Sequence, residues 1–330
     1  MIETASPRRG KSMKLGRALS VGTVLGLMVS AQFGFTSAPA QADAAFNQKH
    51  SQASLHHPKQ ETAHSVGKLK FIGEQLIPND AEFEGTLVGG LSGIDYNPKT
   101  HQWVMVSDDR SDIDPARIYT ANLKYDQKHF AAVQLTGMTE LKQPNGTLYP
   151  NSENYQPHSL DVVPDLESIR FDPNLPNTIR YTSEGDRALG LNPFIRETGL
   201  NSGRYLYSVA IPNSFKMNTM GDTEKGFRNN LALEGTSFSP DGKYYFTSME
   251  ASLYQDGEIS TVEHGSYSRI TKYNRQGHIL AQYAYPVDAI PAQPGPGKSA
   301  DNGVSEMLAI NDHQFLMLER SGVQAADGSY

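Results

Sequence analysis

Cysteine is absent from the 330 residues of this chain, and tryptophan occurs only once. The lack of cysteine excludes disulfides, thiolate zinc sites, a cysteine nucleophile and a lipid-modified N-terminal cysteine. Basic residues are also in the minority, since 29 lysines and arginines stand against 36 aspartates and glutamates. A net charge of −7 gives no basic surface for a phosphate backbone, so no nucleic-acid partner is expected.

Helical periodicity is missing beyond the N-terminus. No stretch of about 12 or more residues there repeats its apolar positions with the period of a helix. Instead, 29 glycines and 19 prolines interrupt short runs that alternate apolar and polar residues. Alternation with period two is typical of half-buried strands. The sequence therefore predicts an all-β protein.

The N-terminus has the order of an export signal. Basic residues precede a mostly apolar run, Ala18–Phe35, which is followed by small residues up to Ala42. This order is typical of a secretory signal peptide, which we predict at residues 1–42, with cleavage after Ala42. A periplasmic or secreted protein without stable membrane insertion follows, and an uncleaved membrane anchor is the alternative. Residues 43–66 are predicted to be a polar, disordered leader before a folded domain at residues 67–330.

Four segments of the chain share one pattern. They begin at Leu91, Leu166, Leu233 and Ser305, roughly 70 residues apart. Each consists of an alternating run, a turn and a second alternating run, which is typical of a β-hairpin. The interval leaves room for two more strands and a long loop in each repeat. Such repeats predict a β-propeller with elaborated blades.

The number of repeats bears on whether the propeller closes. A four-stranded blade with tight loops takes about 40–50 residues, so the spacing here is wide. Four repeats can close a ring only if each supplies more than one blade or if more chain follows. The fourth repeat stops soon after its second strand, in the segment ending at Tyr330. We therefore expect a propeller that is incomplete at its C-terminus.

Acidic residues recur near the start of the first strand and at the end of the second strand of each repeat. In a radial array, equivalent positions converge near the axis. Like charges at close range need a cation or cationic side chains, and carboxylate oxygens suit Ca²⁺ or Mg²⁺. Alternatively, glutamates and arginines satisfy each other structurally from blade to blade. The aligned residues are Ser92, Glu167, Glu234 and Glu306 at the first position, and Asp108, Asp109, Glu184, Glu250 and Glu319 at the second.

Arginine recurs beside these acids, at Arg110, Arg187 and Arg320, and Arg196 is a fourth candidate. A guanidinium group matches a carboxylate or a phosphate with two parallel hydrogen bonds. The four arginines are therefore predicted to bind a small anionic or ester substrate, next to a cation held by the carboxylates.

Seven short segments of the repeats carry a family resemblance. They are Gly89–Tyr96, Ser107–Arg110, Asp165–Ile169, Ser183–Gly185, Leu233–Gly235, Pro240–Gly242 and Leu318–Arg320. In this order they resemble the phytase-like family, also called the esterase-like activity of phytase family, from about Lys68 to Arg320. The resemblance implies an exported bacterial β-propeller that hydrolyses phosphoric or other esters with the help of Ca²⁺. The Asp-Asp-Pro-Ala stretch of alkaline propeller phytases has only a partial counterpart here, at Asp112–Ala116. The family pattern also continues past Leu318–Arg320 with a further blade.

These observations lead to one main hypothesis and two alternatives. The main hypothesis is an exported phosphoric ester hydrolase in which Glu184, Glu234 and Glu250 are catalytic. Its Ca²⁺ ligands would be Asp108, Asp109, Glu167, Glu306 and Glu319. The first alternative is a non-catalytic propeller that binds a ligand or a cell-envelope partner. The second is a lactonase-like hydrolase that uses the same cation on a carboxylic ester.

Overall fold

The computed structural model describes residues 66–218, 223–311 and 313–326. The predicted signal peptide and leader residues 43–65 lie outside the described residues. Strands make up nearly all of the regular structure in the described part, and no helix there is long and apolar enough to cross a membrane. The all-β prediction is confirmed. The helical segments are single 3₁₀ turns at Asn213–Phe215 and Tyr254–Asp256.

The strands form four successive sheets after a small hairpin of β1 (Glu82–Phe83) and β2 (Thr86–Leu87). Sheet one consists of β3 (Leu91–Asn97), β4 (Gln102–Ser107), β5 (Arg117–Tyr125) and β6 (Phe130–Glu140). Sheet two consists of β7 (Leu166–Phe171), β8 (Thr178–Ser183), β9 (Phe194–Gly199) and β10 (Tyr205–Val209). Sheet three consists of β11 (Leu233–Phe238), β12 (Tyr244–Met249), β13 (Ser266–Asn274) and β14 (Ile279–Val287). Sheet four consists, within the described residues, of β15 (Ala300–Ala309) and β16 (Phe315–Val323).

The first strand of each sheet is the innermost one. β3 contacts β7, β7 contacts β11, and β11 contacts β15. Antiparallel meanders whose first strands follow one another around an axis are the blades of a β-propeller, as predicted. Each sequence repeat thus supplies one sheet, and the two further strands expected in each repeat are present in sheets one to three. In these three repeats, long loops rather than extra blades take up the remaining residues.

The apolar core lies between neighbouring sheets. Val104 and Ile118 of sheet one belong to one buried cluster with Ile169 and Tyr181 of sheet two, and all four are fully buried. Similar clusters join sheets two and three and sheets three and four. Every residue of β7 and β11 is buried, because these inner strands are covered on both faces. This packing fixes where the ends of the inner strands lie.

Two glycines allow the inner strands to approach each other closely. A Cβ atom on Gly93 of β3 would lie 2.7 Å from the backbone oxygen of Glu167 in the next sheet. A Cβ atom on Gly235 of β11 would lie 2.8 Å from the backbone nitrogen of Met307 in sheet four. A larger residue at either position would push two blades apart. The close approach brings the beginnings of the inner strands together at the axis.

Short turns and long loops lie at opposite ends of the blades. The connections from first to second strand and from third to fourth strand are short, as at residues 98–101, 126–129 and 239–243. The other connections are longer, as at residues 141–165 and 250–265. Because an antiparallel meander reverses direction at each strand, the longer connections share one end. We call this end the loop face.

Candidate functional site

Each innermost strand contains a β-bulge near its start. Pairing with the second strand is interrupted immediately after Leu91, Leu166, Leu233 and Val304. A bulge bends the strand and re-aims the side chain of the extra residue, and bulges are common beside active sites. The register pairs at these four places are Leu91–Ser107, Leu166–Ser183, Leu233–Met249 and Val304–Glu319.

The register shows which residues of the four sheets are equivalent. In the fourth repeat the comparison of the sequence repeats was wrong by one residue. It gave the two equivalent positions to Glu306 and Glu319, whereas the register gives them to Ser305 and Arg320. A one-residue slip along a strand turns every side chain to the opposite face, so the two glutamates have other surroundings. The equivalent residues are Ser92, Glu167, Glu234 and Ser305 at the bulge, and Asp108, Glu184, Glu250 and Arg320 next to the paired residue of the second strand.

Glu306 lies deeper along the axis, in contact with Arg170 of β7. Its Oε1 atom is 2.7 Å from Arg170 Nη2 and accepts a hydrogen bond from the Thr236 N–H at 3.0 Å. Arg170 also donates to the carbonyl oxygens of Ile94 and Met307, at 3.0 and 2.9 Å. These contacts connect all four sheets. Arg170 and Glu306, which we call the axial plug, therefore close the axis below the acidic residues, and Glu306 is not among those residues.

Glu319 of sheet four is held at the boundary with sheet three. It accepts hydrogen bonds from the Tyr285 hydroxyl of β14 at 2.7 Å, from the Asp288 N–H just after β14 at 2.9 Å and from the Asn302 amide of β15 at 3.0 Å. Two donors from sheet three and its following loop and one from sheet four satisfy this carboxylate. The structure therefore gives Glu319 a structural set of contacts away from the other predicted ligands.

Two groups of three carboxylates come together at the loop face. Asp165, Glu167 and Glu184 form the first triad, and Glu184, Glu234 and Glu250 form the second. In each triad one oxygen per residue lies within 4.8 Å of the others, an arrangement that could hold a metal ion. All five residues are at most 9% exposed. Glu184 belongs to both triads.

Asp108 lies beside the first triad. The Ser92 hydroxyl donates to Asp108 Oδ2 at 3.1 Å. Burial and neighbouring carboxylates raise the pKa of Glu167, and Ser92 partly offsets that rise. The charge of Asp108 contributes to the raised pKa values of both Glu167 and Asp165. Asp108 and the residues of the two triads form what we call the axial acid cluster. The cluster thus contains Asp108, Asp165, Glu167, Glu184, Glu234 and Glu250.

Burial is the main reason why the carboxylates of the cluster resist ionisation, and mutual repulsion adds to it. The pKa values of Glu167, Glu184 and Glu234 are raised well above the ordinary value. The pKa values of Asp165 and Glu250 are raised to about 7. Desolvation and a nearby like charge both penalise the ionised form. A bound cation would remove this penalty.

The metal-free protein is therefore expected to lose thermal stability as the pH rises from about 5 to about 8. The pKa of Asp165 and of Glu250 is about 7 in the folded protein, against about 4 in an unfolded chain. Between these values the folded protein binds more protons, so stability is full below the unfolded pKa and is lost as the pH passes the folded pKa. Melting temperatures measured in a chelator between about pH 5 and about pH 8 check this expectation. A melting temperature that rises across this pH range would contradict it.

Asp165 is a member of the cluster that the repeat comparison did not select. It precedes β7 at a position where the other sheets have Gly90, Ala232 and Gly303, so it has no acidic counterpart to reveal it. Its spacing of two residues from Glu167 was the available signal, since alternate residues of a strand share a face. A comparison of the repeats identifies residues that recur in several blades, and it misses a residue such as Asp165 that is acidic in only one blade.

Asp109 follows Asp108 in sequence, but its carboxylate has different contacts. It forms an ion pair with Arg117, a fully buried arginine of β5, and accepts a hydrogen bond from the Ser111 N–H at 2.8 Å. Arg117 also donates to the Leu87 carbonyl at 2.7 Å. Asp109 therefore fastens the loop after β4 to sheet one and lies outside the axial acid cluster.

Two of the four predicted arginines lie at the cluster. Arg110 Nη1 is 3.3 Å from Asp165 Oδ2, and its other amino group pairs with Asp186. Arg320 Nη2 is 3.7 Å from Glu250 Oε1, and the Arg320 side chain is 59% exposed. The two guanidinium groups thus lie beside different triads, with part of each side chain open to solvent.

The other two arginines have structural contacts. Arg187 donates to the Phe227 carbonyl at 2.7 Å and stacks on Tyr254. Arg196 donates to the Tyr149 hydroxyl at 2.6 Å and lies 4.2 Å from the centre of the Phe194 ring. Neither is brought to the axial acid cluster. Arg187 follows Glu184 by three residues, whereas Arg110 follows Asp108 by two, which explains the different placement.

The fold and these contacts define a class: a β-propeller protein with a buried, arginine-flanked acidic site at the loop end of its axis. The sequence model of the phytase-like family, described as esterase-like activity of phytase, matches residues 86–329. The chain belongs to this family, so the resemblance found in the sequence is confirmed. The family description names a hydrolase activity. A comparison with curated protein sequences gave no match.

Several solved structures are distantly similar to this chain. The periplasmic gluconolactonase PpgL of Pseudomonas aeruginosa has 12% identity and a TM-score of 0.31, over 72% of this chain and 67% of that one. The gluconolactonase XC5397 of Xanthomonas campestris has 9% identity and a TM-score of 0.29, over 66% of this chain and 52% of that one. KlHsv2 with loop 6CD replaced by a Gly-Ser linker has 10% identity and a TM-score of 0.31, over 74% and 52%. This chain thus spans about half the length of the last two proteins.

Proposed function

We propose that this protein is an exported ester hydrolase that acts on small phosphoric esters, with Ca²⁺ held by the axial acid cluster. The observation that carries the proposal is the convergence of six carboxylates and two partly exposed arginines in a member of the phytase-like family. The axial plug closes the site on one side. We therefore expect the substrate to enter from the loop face.

The donor set favours a hard divalent cation. The triads offer only carboxylate oxygens, which Ca²⁺ and Mg²⁺ prefer, and no cysteine is present in the chain. Ca²⁺ accepts six to eight oxygen ligands in a flexible geometry, which suits carboxylates from several strands. When bound, such a cation polarises a phosphoryl oxygen and makes a bound water more acidic.

The protein side chains would orient the ester and handle protons. Arg110 and Arg320 can each offer a planar fork of N–H donors to the phosphoryl oxygens. Glu250, whose carboxylate a bound cation would keep ionised, can accept a proton from the reacting water. Glu184 and Glu234 would hold the cation and the reacting water in place. In this proposal Asp109, Glu306, Glu319, Arg187 and Arg196 support the fold and do not touch the substrate.

Hydrolysis assays with and without a chelator test the proposal. The full chain is incubated with p-nitrophenyl phosphate and with phytate, in Ca²⁺ and in EGTA. Turnover of at least one phosphoric ester that disappears in EGTA and returns with Ca²⁺ is expected. No chelator-sensitive turnover of either substrate would contradict the proposal.

A carboxylic ester or a lactone is the second candidate substrate, because the family description refers to an esterase-like activity. The same cluster and the same arginines would then act on a carbonyl group. p-Nitrophenyl acetate and a sugar lactone, assayed beside the phosphoric esters, separate the two. Turnover of these compounds alone would favour the second candidate, and Ca²⁺ binding without any turnover would favour a ligand-binding propeller.

Replacing Arg320 with methionine is expected to raise the KM for a phosphoric ester about tenfold, which corresponds to about 1.4 kcal/mol. The reason is that Arg320 is 59% exposed and only 3.7 Å from Glu250, so it can reach a ligand bound at the cluster. Steady-state kinetics provide the measurement. The control is Arg187→Lys, because Arg187 lies away from the cluster and should leave KM unchanged. An unchanged KM in Arg320→Met would remove Arg320 from the substrate site.

Export is the remaining part of the proposal, supported by the N-terminal sequence pattern. Expression in a bacterial host with an intact secretion system should give a mature protein that begins at Asp43. N-terminal sequencing of the protein from the periplasm or the medium makes the measurement. Full-length protein beginning at Met1 and retained in the membrane fraction would instead support the anchor alternative.

A further inference from the structure

We infer that Ser305 and Arg320 select a substrate with an anionic group, with Ser305 as the residue that positions the Arg320 guanidinium to bind that group. This inference rests on the proposed function and adds the residues that distinguish a phosphoric ester from an uncharged ester. Both residues belong to sheet four, Ser305 to β15 and Arg320 to β16.

Sheet four differs from the other three sheets in the charge that it brings to the loop face. At the equivalent position of the second strand, sheets one, two and three have an acidic residue, whereas sheet four has Arg320. At the bulge of the first strand, sheets two and three have a glutamate, whereas sheet four has the smaller Ser305. Sheet four therefore supplies the basic side of a site whose other sides are acidic.

The backbone of β15 brings Arg320 to the edge of the axial acid cluster. Gly303 is paired with Arg320 across the two strands, and a Cβ atom on Gly303 would collide with the Glu250 side chain. The N–H of Val304 donates to the Glu250 carbonyl oxygen at 3.0 Å. Sheet four thus docks directly against Glu250, and this contact leaves the Arg320 side chain beside the cluster and open to solvent.

Ser305 holds one end of the Arg320 guanidinium. Arg320 Nε donates to Ser305 Oγ at 3.2 Å, and Ser305 is half-buried. Within the described residues, this is the one hydrogen bond that the Arg320 side chain donates, so both of its Nη groups can donate to a ligand. Arg110 differs, because its Nη groups pair with Asp165 and Asp186. Arg320 is therefore the better placed of the two arginines to bind a substrate.

A fixed guanidinium matters most for an anionic substrate. The ionised carboxylates of the cluster repel a phosphoryl group that approaches them, and they do not repel an uncharged ester in this way. A guanidinium can offset this repulsion through two parallel hydrogen bonds to phosphoryl oxygens. An arginine side chain loses rotamer freedom when it binds, and the bond to Ser305 restricts the side chain before binding. Loss of the Ser305 hydroxyl should therefore weaken the binding of an anionic group and spare an uncharged ester.

Kinetics on two esters with the same leaving group test the inference. Ser305→Ala is expected to raise the KM for p-nitrophenyl phosphate about threefold to tenfold, the effect of one lost hydrogen bond, and to leave the KM for p-nitrophenyl acetate unchanged. Ser305→Thr retains a hydroxyl group and should restore the KM. In the Arg320→Met background, Ser305→Ala should have no further effect, because the hydroxyl no longer has a guanidinium to hold.

The matched control is Ser321→Ala. The Ser321 hydroxyl donates to Asn302 Oδ1 at 2.8 Å in the same hairpin, away from the Arg320 guanidinium. This variant loses a hydrogen bond of sheet four and should keep both KM values. If Ser305→Ala does not fold, as judged by circular dichroism, Arg320→Lys replaces it. Lysine keeps the positive charge and lacks the Nε donor, so the same selective rise in KM is expected.

Binding of phenylphosphonate, a phosphoryl analogue that has no ester bond, separates this inference from the proposed function. Its dissociation constant, measured by isothermal titration on the full chain, should rise about threefold to tenfold in Ser305→Ala, whether or not esters are hydrolysed. This rise without any turnover of a phosphoric ester would contradict the proposed hydrolase alone. No binding of phenylphosphonate, an unchanged dissociation constant, or an equal rise in KM for both esters would overturn the inference.

Discussion

Replacing Glu234 with glutamine is expected to lower the hydrolysis of a phosphoric ester at least about 100-fold, and to raise the melting temperature in a chelator. Hydrolysis falls because the second triad loses a charged ligand close to the reacting groups. Stability rises because glutamine removes a buried carboxylate whose pKa is raised by burial and by Glu167, Glu250 and Glu184. Steady-state kinetics in Ca²⁺ and thermal melts in EGTA at pH 8 make the two measurements.

The opposite signs of these two effects distinguish a functional carboxylate from a structural one. A glutamate that only supports the fold should lose stability when it is changed to glutamine, and should lose activity only in proportion to the unfolded fraction. Glu258→Gln is the control, because this exposed residue should show neither effect. A Glu234→Gln protein that is fully active, or one that melts well below the unsubstituted protein in EGTA, would argue against a strained acidic site.

Replacing Arg170 with methionine is expected to destabilise the protein by about 3–5 kcal/mol. The substitution leaves the Glu306 carboxylate buried without its cation and removes the donors to the carbonyls of Ile94 and Met307. It also leaves the buried Asp95 carboxylate without a nearby positive charge. Burial raises the pKa of Asp95, and the charge of Arg170 partly offsets this rise. Equilibrium unfolding in urea measures the change.

A double variant separates the ion pair from the rest of the axial plug. Arg170→Met combined with Glu306→Gln should be more stable than Arg170→Met alone, because it no longer buries an unpaired carboxylate. Glu306→Gln by itself should also be destabilised, since it leaves the Arg170 guanidinium without its partner. If the free energy of unfolding of Arg170→Met lies within about 1 kcal/mol of that of the unsubstituted protein, the axial plug does not hold the blades together.

The strands could be predicted because their signals are local. The alternating runs at β11 and β12, and the turn Ser239–Gly242 between them, give strand and turn without knowledge of the rest of the chain. The number of sheets per repeat could not be predicted in the same way. Loops such as residues 141–165 have no sequence period, so their length could equally have contained additional strands.

The site could be predicted only as far as the repeats are alike. Glu167, Glu184, Glu234 and Glu250 recur at equivalent places, and the structure brings them together. The strand register explains why the fourth repeat was assigned wrongly. A shift of one residue along a strand decides whether a side chain faces the axis, and the bulge in β15 is not visible in the sequence. The alignment therefore chose Glu319 where the register places Arg320.

The division of the acidic residues among separate sheets has a consequence for the kinetics of folding. Each sheet is made of consecutive strands, so it can form through contacts that are close in sequence. Sheet one carries Asp108 and sheet three carries Glu234 and Glu250, and these charges meet those of sheet two only when the sheets dock. Electrostatic repulsion therefore opposes the docking step and leaves the earlier formation of each sheet unaffected. A cation that binds only the docked arrangement would accelerate this late step and slow its reversal.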